Sequence, residues 1–246
     1  MKILVCISKT PETTAKISFN SDQTAFNSDG IQYIMNPYDE WYALVRAVEL
    51  VEQNGGSVTV INAGSASNEI IIRKALAIGA DDAVRIDFEP SSAMEVAMEV
   101  ARYAEDKEFD IIFTGKETID YNGSEVGGMI AESLGLPYIS FASGLKYDGD
   151  KFTLRREVEG GVEIVAVEGP LVVSSAKGLA EQRIPNMRGI MMAKRKPLEV
   201  IAPGDFLSPI RTVKYDLPPE KKGVKMVDPG EMDELVRLLH EEAKVI

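Results

Sequence analysis

The chain of 246 residues is 45% apolar, enough to bury a substantial core in one large domain or in a domain with appendages. Its 27 Lys and Arg face 39 Asp and Glu, and the net charge of −12 disfavours nonspecific attraction to nucleic acid or to an anionic membrane. One cysteine and one histidine exclude an internal disulfide framework and a Cys/His zinc site, so no metal site is expected.

The apolar run Ile3–Ile7 is too short for a signal segment or a membrane span, which predicts an intracellular, cytoplasmic protein without membrane insertion. Strand patterns at Lys2–Ile7, Ser57–Asn62, Ala83–Ile86 and Ile111–Thr114 alternate with helix patterns at Tyr38–Gln53, Ser67–Ile78, Ser92–Lys107 and Gly123–Leu134. Such alternation predicts an α/β fold, a parallel sheet with helices on both faces. The continuously apolar runs Ile3–Ile7 and Ile111–Phe113 suit central strands covered on both sides. Asn54-Gly55-Gly56, Gly79 and Gly135-Leu136-Pro137 end three helix patterns, and each precedes a new strand.

From about Ser143 the pattern becomes hairpin-like, with Leu145–Tyr147, a turn at Asp148-Gly149-Asp150, Phe152–Val158, Gly160-Gly161 and Val162–Val167. This predicts an antiparallel extension. After a strand at Leu171–Ser175, the Met-rich stretch Lys177–Lys196 carries no acid between Arg183 and Lys196 and reads as a projecting arm. Pro203-Gly204, Pro218-Pro219 and Lys221-Lys222-Gly223 are chain-breaking signals in a C-terminal tail. A last helix is predicted there, with Asp228 as N-cap and Pro229 at the first helical position, ending at about Ala243.

In an open parallel sheet, ligands bind beyond the carboxyl ends of the strands, where loops and helix N-termini converge. Three loops qualify: Ser8–Pro11, Ala63-Gly64-Ser65-Ala66 and Gly115–Gly128. In the third, Gly123, Ser124, Gly127 and Gly128 are small enough for a phosphate to reach backbone N–H groups where the helix dipole favours an anion. Glycines in such loops also serve merely to turn the chain, so this loop alone leaves both readings open. The segment lacks a P-loop ending, and no Gly-x-Gly-x-x-Gly follows the first strand, which weighs against ATP hydrolysis and Rossmann-type dinucleotide binding. His240 falls in the terminal helix pattern and Cys6 in an apolar strand, so no catalytic side chain is expected and Cys6 reads as packing rather than nucleophile.

Gly115-Lys116-x-x-Ile119-Asp120, followed by Gly123–Gly128, resembles the nucleotide loop of electron-transfer flavoprotein β subunits. Met35-Asn36-Pro37-Tyr38-Asp39-Glu40, Arg73–Asp81, Arg156–Gly161 and the run from Glu181-x-Arg183 to Ile190-Met191-x-Ala193-Lys194 resemble further family segments, in order, over about Met1–Asp205. The resemblance implies an adenine-nucleotide-binding α/β domain over 1–176, a partner-recognition arm over 177–200 and a tail over 201–246 that wraps a larger α subunit. It implies a heterodimer that carries FAD chiefly on the α subunit, binds AMP structurally here, and takes electrons from flavin-dependent dehydrogenases such as acyl-CoA dehydrogenases. The ligand would lie near Cys6, Asn36, Ala63 and Gly64, with phosphate at Asp120, Gly123, Ser124, Glu125 and Val126.

Where the family usually carries Asn-Gln-Thr, this chain has Ser124-Glu125-Val126. Valine donates no hydroxyl hydrogen bond, and the Glu125 charge disfavours a phosphate unless it points away or pairs with Lys116. Valine also occurs in electron-bifurcating relatives, whose pocket holds a second FAD that oxidises NADH; that is the alternative implied. A stand-alone adenine-nucleotide sensor of similar architecture would account for the front half only.

By the same resemblance Glu157 matches a hairpin carboxylate that orients the mobile flavin domain; by its neighbours alone it is a solvated residue beside Arg155 and Arg156. Arg183, at the arm entrance, is either a surface cation or a group near the flavin or the subunit interface. Met187 matches the apolar anchor that enters partner dehydrogenases, and Met191 and Met192 extend a deformable apolar surface among Arg188, Lys194, Arg195 and Lys196. Their spacing also fits an amphipathic helix buried against a subunit. Trp41 and Tyr42 are assigned to packing.

Overall fold

The computed structural model describes residues 1–220 and 223–246; Lys221 and Lys222, part of one chain-breaking signal, lie outside the described residues. In chain order the strands and helices are β1 (Lys2–Cys6), β2 (Lys9–Pro11), β3 (Tyr33–Met35), α1 (Asp39–Asn54), β4 (Ser57–Ala63), α2 (Glu69–Ile78), β5 (Asp82–Ile86), α3 (Ala93–Ala104), β6 (Ile111–Gly115) and α4 (Val126–Leu134). There follow β7 (Tyr138–Tyr147), β8 (Lys151–Val158), β9 (Gly161–Glu168), β10 (Leu171–Ser175), α5 (Met187–Ala193), β11 (Leu198–Ile201) and α6 (Met232–Arg237).

Among the described residues, nine strands form one sheet in the order β11-β5-β4-β1-β6-β10-β7-β8-β9. The seven strands from β11 to β7 run parallel, and β8 and β9 continue the sheet as an antiparallel hairpin. The predicted architecture of parallel sheet, covering helices and hairpin extension is the one observed.

The pleat explains why β1 is apolar at every interior position. Ile3 and Val5 point to one face and pack with α1 and α2, whereas Leu4 points to the other and packs with Ala97 and Val100 of α3 and Ile130 of α4. A strand with water on one face would have needed only every second residue to be apolar. The crossover from β5 through α3 to β6 passes β1 and reverses the winding, creating a switch point at the carboxyl end of β1.

Several elements depart from the sequence expectations. β2 and β3 form a separate antiparallel pair, too short at three residues each to give a period. β7 is a single ten-residue strand beginning well before Leu145, bent at a bulge where Phe141 takes φ +55°. α4 begins at Val126 rather than Gly123, because Ser124 adopts φ +55° and cannot continue a right-handed helix.

The terminal helix also starts later than expected. Asp228 accepts the Gly230 N–H at 2.8 Å on its side chain and the Glu231 N–H at 2.9 Å on its carbonyl, so it closes a turn that contains Pro229. Glu231 is the N-cap of α6, and the helix runs on through a π turn to Ala243.

The arm contains a short helix whose base is clamped to α2. Asn186 caps α5 by accepting the Gly189 N–H at 2.8 Å. Arg73 of α2 donates to the carbonyls of Ala193 at 2.9 Å and Lys196 at 2.8 Å, and the Lys196 ammonium reaches back to the carbonyls of Leu76 and Ala80. Beyond the arm, β11 returns the chain to the sheet beside β5.

Candidate functional site

The carboxyl ends of β1, β4 and β6 open onto a cavity of about 510 Å³, a volume within the roughly 300–1,000 Å³ range of small-molecule sites. Its apolar wall comes from Cys6, Ile61, Val96, Val100 and Met129. Burial pushes the Cys6 thiol far above its ordinary range, with the Glu40 carboxylate adding to the effect, so this sulfur is wall and not nucleophile.

The start of α4 also lines the cavity. Asn122 and Ser124 both take left-handed backbone conformations, φ +49° and +55°, and Glu125 returns to the right-handed helical region. Left-handed followed by right-handed residues turn successive N–H groups to one side, the geometry of an anion nest. Among the described residues, none of the N–H groups from Gly123 to Gly128 donates a hydrogen bond, and they stand at the positive end of the helix dipole. Gly127 is needed for packing, because a Cβ there would come within 2.7 Å of Thr114 Oγ1 and 2.9 Å of the Tyr138 ring.

The loop leading to this nest is held by Asn36. Its Nδ2 donates to the Glu117 carbonyl at 3.0 Å and its Oδ1 accepts the Ile119 N–H at 3.1 Å. Asn36 is fully buried and does not line the cavity, so the structure uses it to shape the ligand loop rather than to face a ligand.

Gly64 is likewise behind the wall. A Cβ on it would fall on Asn68 Nδ2, at 1.9 Å, and break the chain of hydrogen bonds from Asn68 to Asn62 to the Ile7 carbonyl. The Arg85 guanidinium completes the support by donating to the Gly64 carbonyl at 2.9 Å.

The other expected residues, Cys6, Ala63, Asp120, Gly123, Ser124, Glu125 and Val126, come together around the one cavity. Lys116 does not pair with Glu125; it forms its ion pair with Glu117 at 2.8 Å, and that hydrogen bond raises the lysine's pKa. Glu89, Glu117, Asp120 and Glu125 outnumber the cations Lys9, Lys116 and Arg211, so attraction of an anion falls chiefly to backbone N–H groups.

Glu40 was not singled out by sequence reasoning. It is buried where it lines the cavity and accepts the Ser8 N–H at 2.6 Å; burial lifts its pKa to about 8 against the lowering effect of that bond. Two further contributors were missed: the segment Glu89–Met94 before and into α3, and Ile210–Thr212 of the tail. The α3 start had a signal, since Ser92 is an N-cap that accepts the Glu95 N–H at 3.2 Å after a β-strand. The tail residues had none.

Away from the cavity, Met187 is 74% exposed and Met191 68% exposed, with Ile184 and Met192 beside them. Arg183 is anchored, not free: it grips Glu52 of α1 through two hydrogen bonds of 2.8 and 3.0 Å, and its carbonyl accepts the Trp41 indole N–H at 3.2 Å. Trp41 packs as expected, beneath the Lys74 ammonium at 4.4 Å. Glu157 is exposed on the hairpin, 3.6 Å from Arg155, while Arg156 pairs with Glu163 across the strands.

Among the described residues no three His, Cys, Asp or Glu side chains gather as a metal site, and no helix is long and apolar enough to cross a membrane. A doubly wound parallel sheet, a cavity at its switch point and a helix start at the edge of that cavity define the class: an α/β protein of the open parallel-sheet type.

Comparison with known proteins narrows the class. The profile of the "Electron transfer flavoprotein domain" matches residues 23–205. The chain is 36% identical to the electron transfer flavoprotein subunit beta of Bacillus subtilis over 100% of both chains, and 36% identical to that of Syntrophomonas wolfei over 94% of this chain and 92% of the relative. It is 33% identical to the Homo sapiens subunit beta, with 92% of each chain covered. The chain belongs to the electron transfer flavoprotein family, as a β subunit. Its role is therefore in electron transport as part of a flavoprotein, and β-subunit kinship implies an α-subunit partner.

Proposed function

We propose that this chain forms a heterodimer with its α subunit, that FAD is held mainly by that partner, and that the switch-point cavity here binds AMP as a structural ligand. The observation that carries the adenylate reading is that, among the described residues, the N–H groups from Gly123 to Val126 donate no hydrogen bond, while these four residues line the same cavity as the apolar surface of Ile61, Val96 and Met129. The first suits a phosphate and the second a purine base. Cys6 and Ala63 lie on the wall at the β-strand ends, and Asn36 and Gly64 act behind it.

The flavin supplies the redox chemistry when bound to the partner. This chain's own contribution is scaffold, nucleotide site and docking surface. Residues 1–176 carry the nucleotide, the arm over 177–200 presents Met187 and Met191 to dehydrogenases, and the tail over 201–246 embraces the α subunit. Glu157, exposed on the hairpin and 3.6 Å from Arg155, is positioned to meet basic groups of the flavin domain.

One observation favours a second reading, in which the same cavity holds another FAD that oxidises NADH. Val126 lines the cavity at the first position of α4 and offers no hydroxyl to a phosphate. Co-purification with the α subunit, a flavin spectrum and mass spectrometry of released nucleotides test both. One flavin with AMP supports the first reading; two flavins and NADH oxidation support the second; a gently purified complex with neither flavin nor adenylate overturns both.

A further inference from the structure

We propose that the tail segment Ser208–Tyr215 is a strap that retains the ligand of the switch-point cavity, with Arg211 as the cation that faces the ligand's phosphate; this rests on the adenylate reading above. The strap is fixed at both ends by contacts within this chain. At its start, Ser208 Oγ lies 2.9 Å from Ser92 Oγ at the N-cap of α3, and just upstream the Gly204 N–H donates to Glu99 Oε1 at 2.8 Å. At its end, the Tyr215 ring stacks on Phe19 with centroids 5.1 Å apart, and its N–H donates to the Gln23 carbonyl at 2.7 Å.

The Tyr215 hydroxyl also lies 3.3 Å from that of Tyr121, two residues before Gly123. The far anchor is therefore attached to the loop that presents the amide nest. Between the anchors the chain forms no helix or strand, and Ile210, Arg211 and Thr212 line the cavity.

Charge distinguishes Arg211 from the other two cations at the cavity. Lys116 is occupied by Glu117, and Lys9 donates to Ser67 Oγ and sits over the Tyr33 ring. Among the described residues Arg211 forms no ion pair or side-chain hydrogen bond, although the carboxylates of Glu89, Glu117, Asp120 and Glu125 share its cavity. A guanidinium at the mouth of a site whose anion attraction otherwise comes from backbone dipoles matches a phosphate in charge and in planar donor geometry. Because the same segment leads into the exposed, apolar remainder of the tail, at Leu217 and Val224, its position would respond to the partner that covers that tail.

The test uses the complex of this full chain with its α subunit and labelled AMP chased by unlabelled AMP. Arg211→Gln is expected to release AMP about tenfold faster, as the loss of one charge-assisted contact would give. Arg211→Lys should recover part of the retention. Tyr215→Ala, which removes an anchor without touching the cavity, should also speed release, and Tyr215→Phe, which keeps the stack, should restore slow release. AMP bound but leaving at the wild-type rate from both Arg211→Gln and Tyr215→Ala overturns the strap alone. A wild-type complex that neither contains nor takes up AMP overturns the strap and the adenylate reading together.

Discussion

The Asn36 amide donates to the Glu117 carbonyl at 3.0 Å, joining two points that are 81 residues apart in the chain. With its partner bond to Ile119, this makes a buried side chain the template for a ligand loop that it never exposes to ligand.

Asn36→Ala should leave a half-buried carbonyl and a half-buried N–H without their partner, at a cost of about 2 kcal/mol. Chemical denaturation checks the stability loss, and AMP uptake should weaken with it because the loop relaxes. Full stability in the variant would mean that water satisfies both groups.

Ser124 tests the nest through its backbone. Glycine adopts φ +55° without strain, so Ser124→Gly should retain AMP and gain up to about 1 kcal/mol of stability. Proline cannot adopt a positive φ and has no N–H, so Ser124→Pro should abolish nucleotide retention. Nucleotide content by mass spectrometry separates the two variants.

Glu40 should make stability depend on pH. Its pKa rises on folding from the ordinary 4.5 to about 8, so between those values the folded state holds a proton that the unfolded chain releases. Its contribution is most favourable below about 4.5 and is lost as pH rises through 8. Glu40→Gln, which keeps an acceptor for the Ser8 N–H, should flatten this slope and be more stable than the parent at pH 9. Denaturation across pH 5 to 9 measures it; identical slopes would show that Glu40 is ionised in the folded protein.

The arm separates surface from scaffold. Met187→Ala removes an exposed side chain and should change stability by no more than about 0.5 kcal/mol, while slowing reduction of the flavin by its dehydrogenase. Gly189→Ala would place a Cβ 2.6 Å from the Ala77 carbonyl, lifting α5 off α2 at a cost of about 1–3 kcal/mol. Calorimetry with stopped-flow flavin reduction distinguishes the two; lost flavin content in Met187→Ala would make the arm structural.

The sheet was legible because its strands are buried on both faces. Ile3-Leu4-Val5 and Ile111-Ile112-Phe113 had to be apolar throughout, and the glycines after α1, α2 and α4 end those helices with positive φ or close approach to neighbours. The glycine-rich loop could be read as an anion site or as a turn, and its φ angles, not its composition, separate the two.

From sequence alone followed the order of the long strands and helices up to β10, though not β2, β3, α5 or β11, together with the covered parallel sheet and the loop after Ile111–Gly115, since each depends on local period, local turn chemistry or a matching motif. Tertiary structure alone decided that Asn36 and Gly64 stand behind the cavity wall and that Glu40 and Arg211 line the cavity. Periodicity reports whether a residue is buried by its own element. It carries no information on which distant segment will meet it, and here that was set by the crossover past β1 and by a tail that folds back across α3.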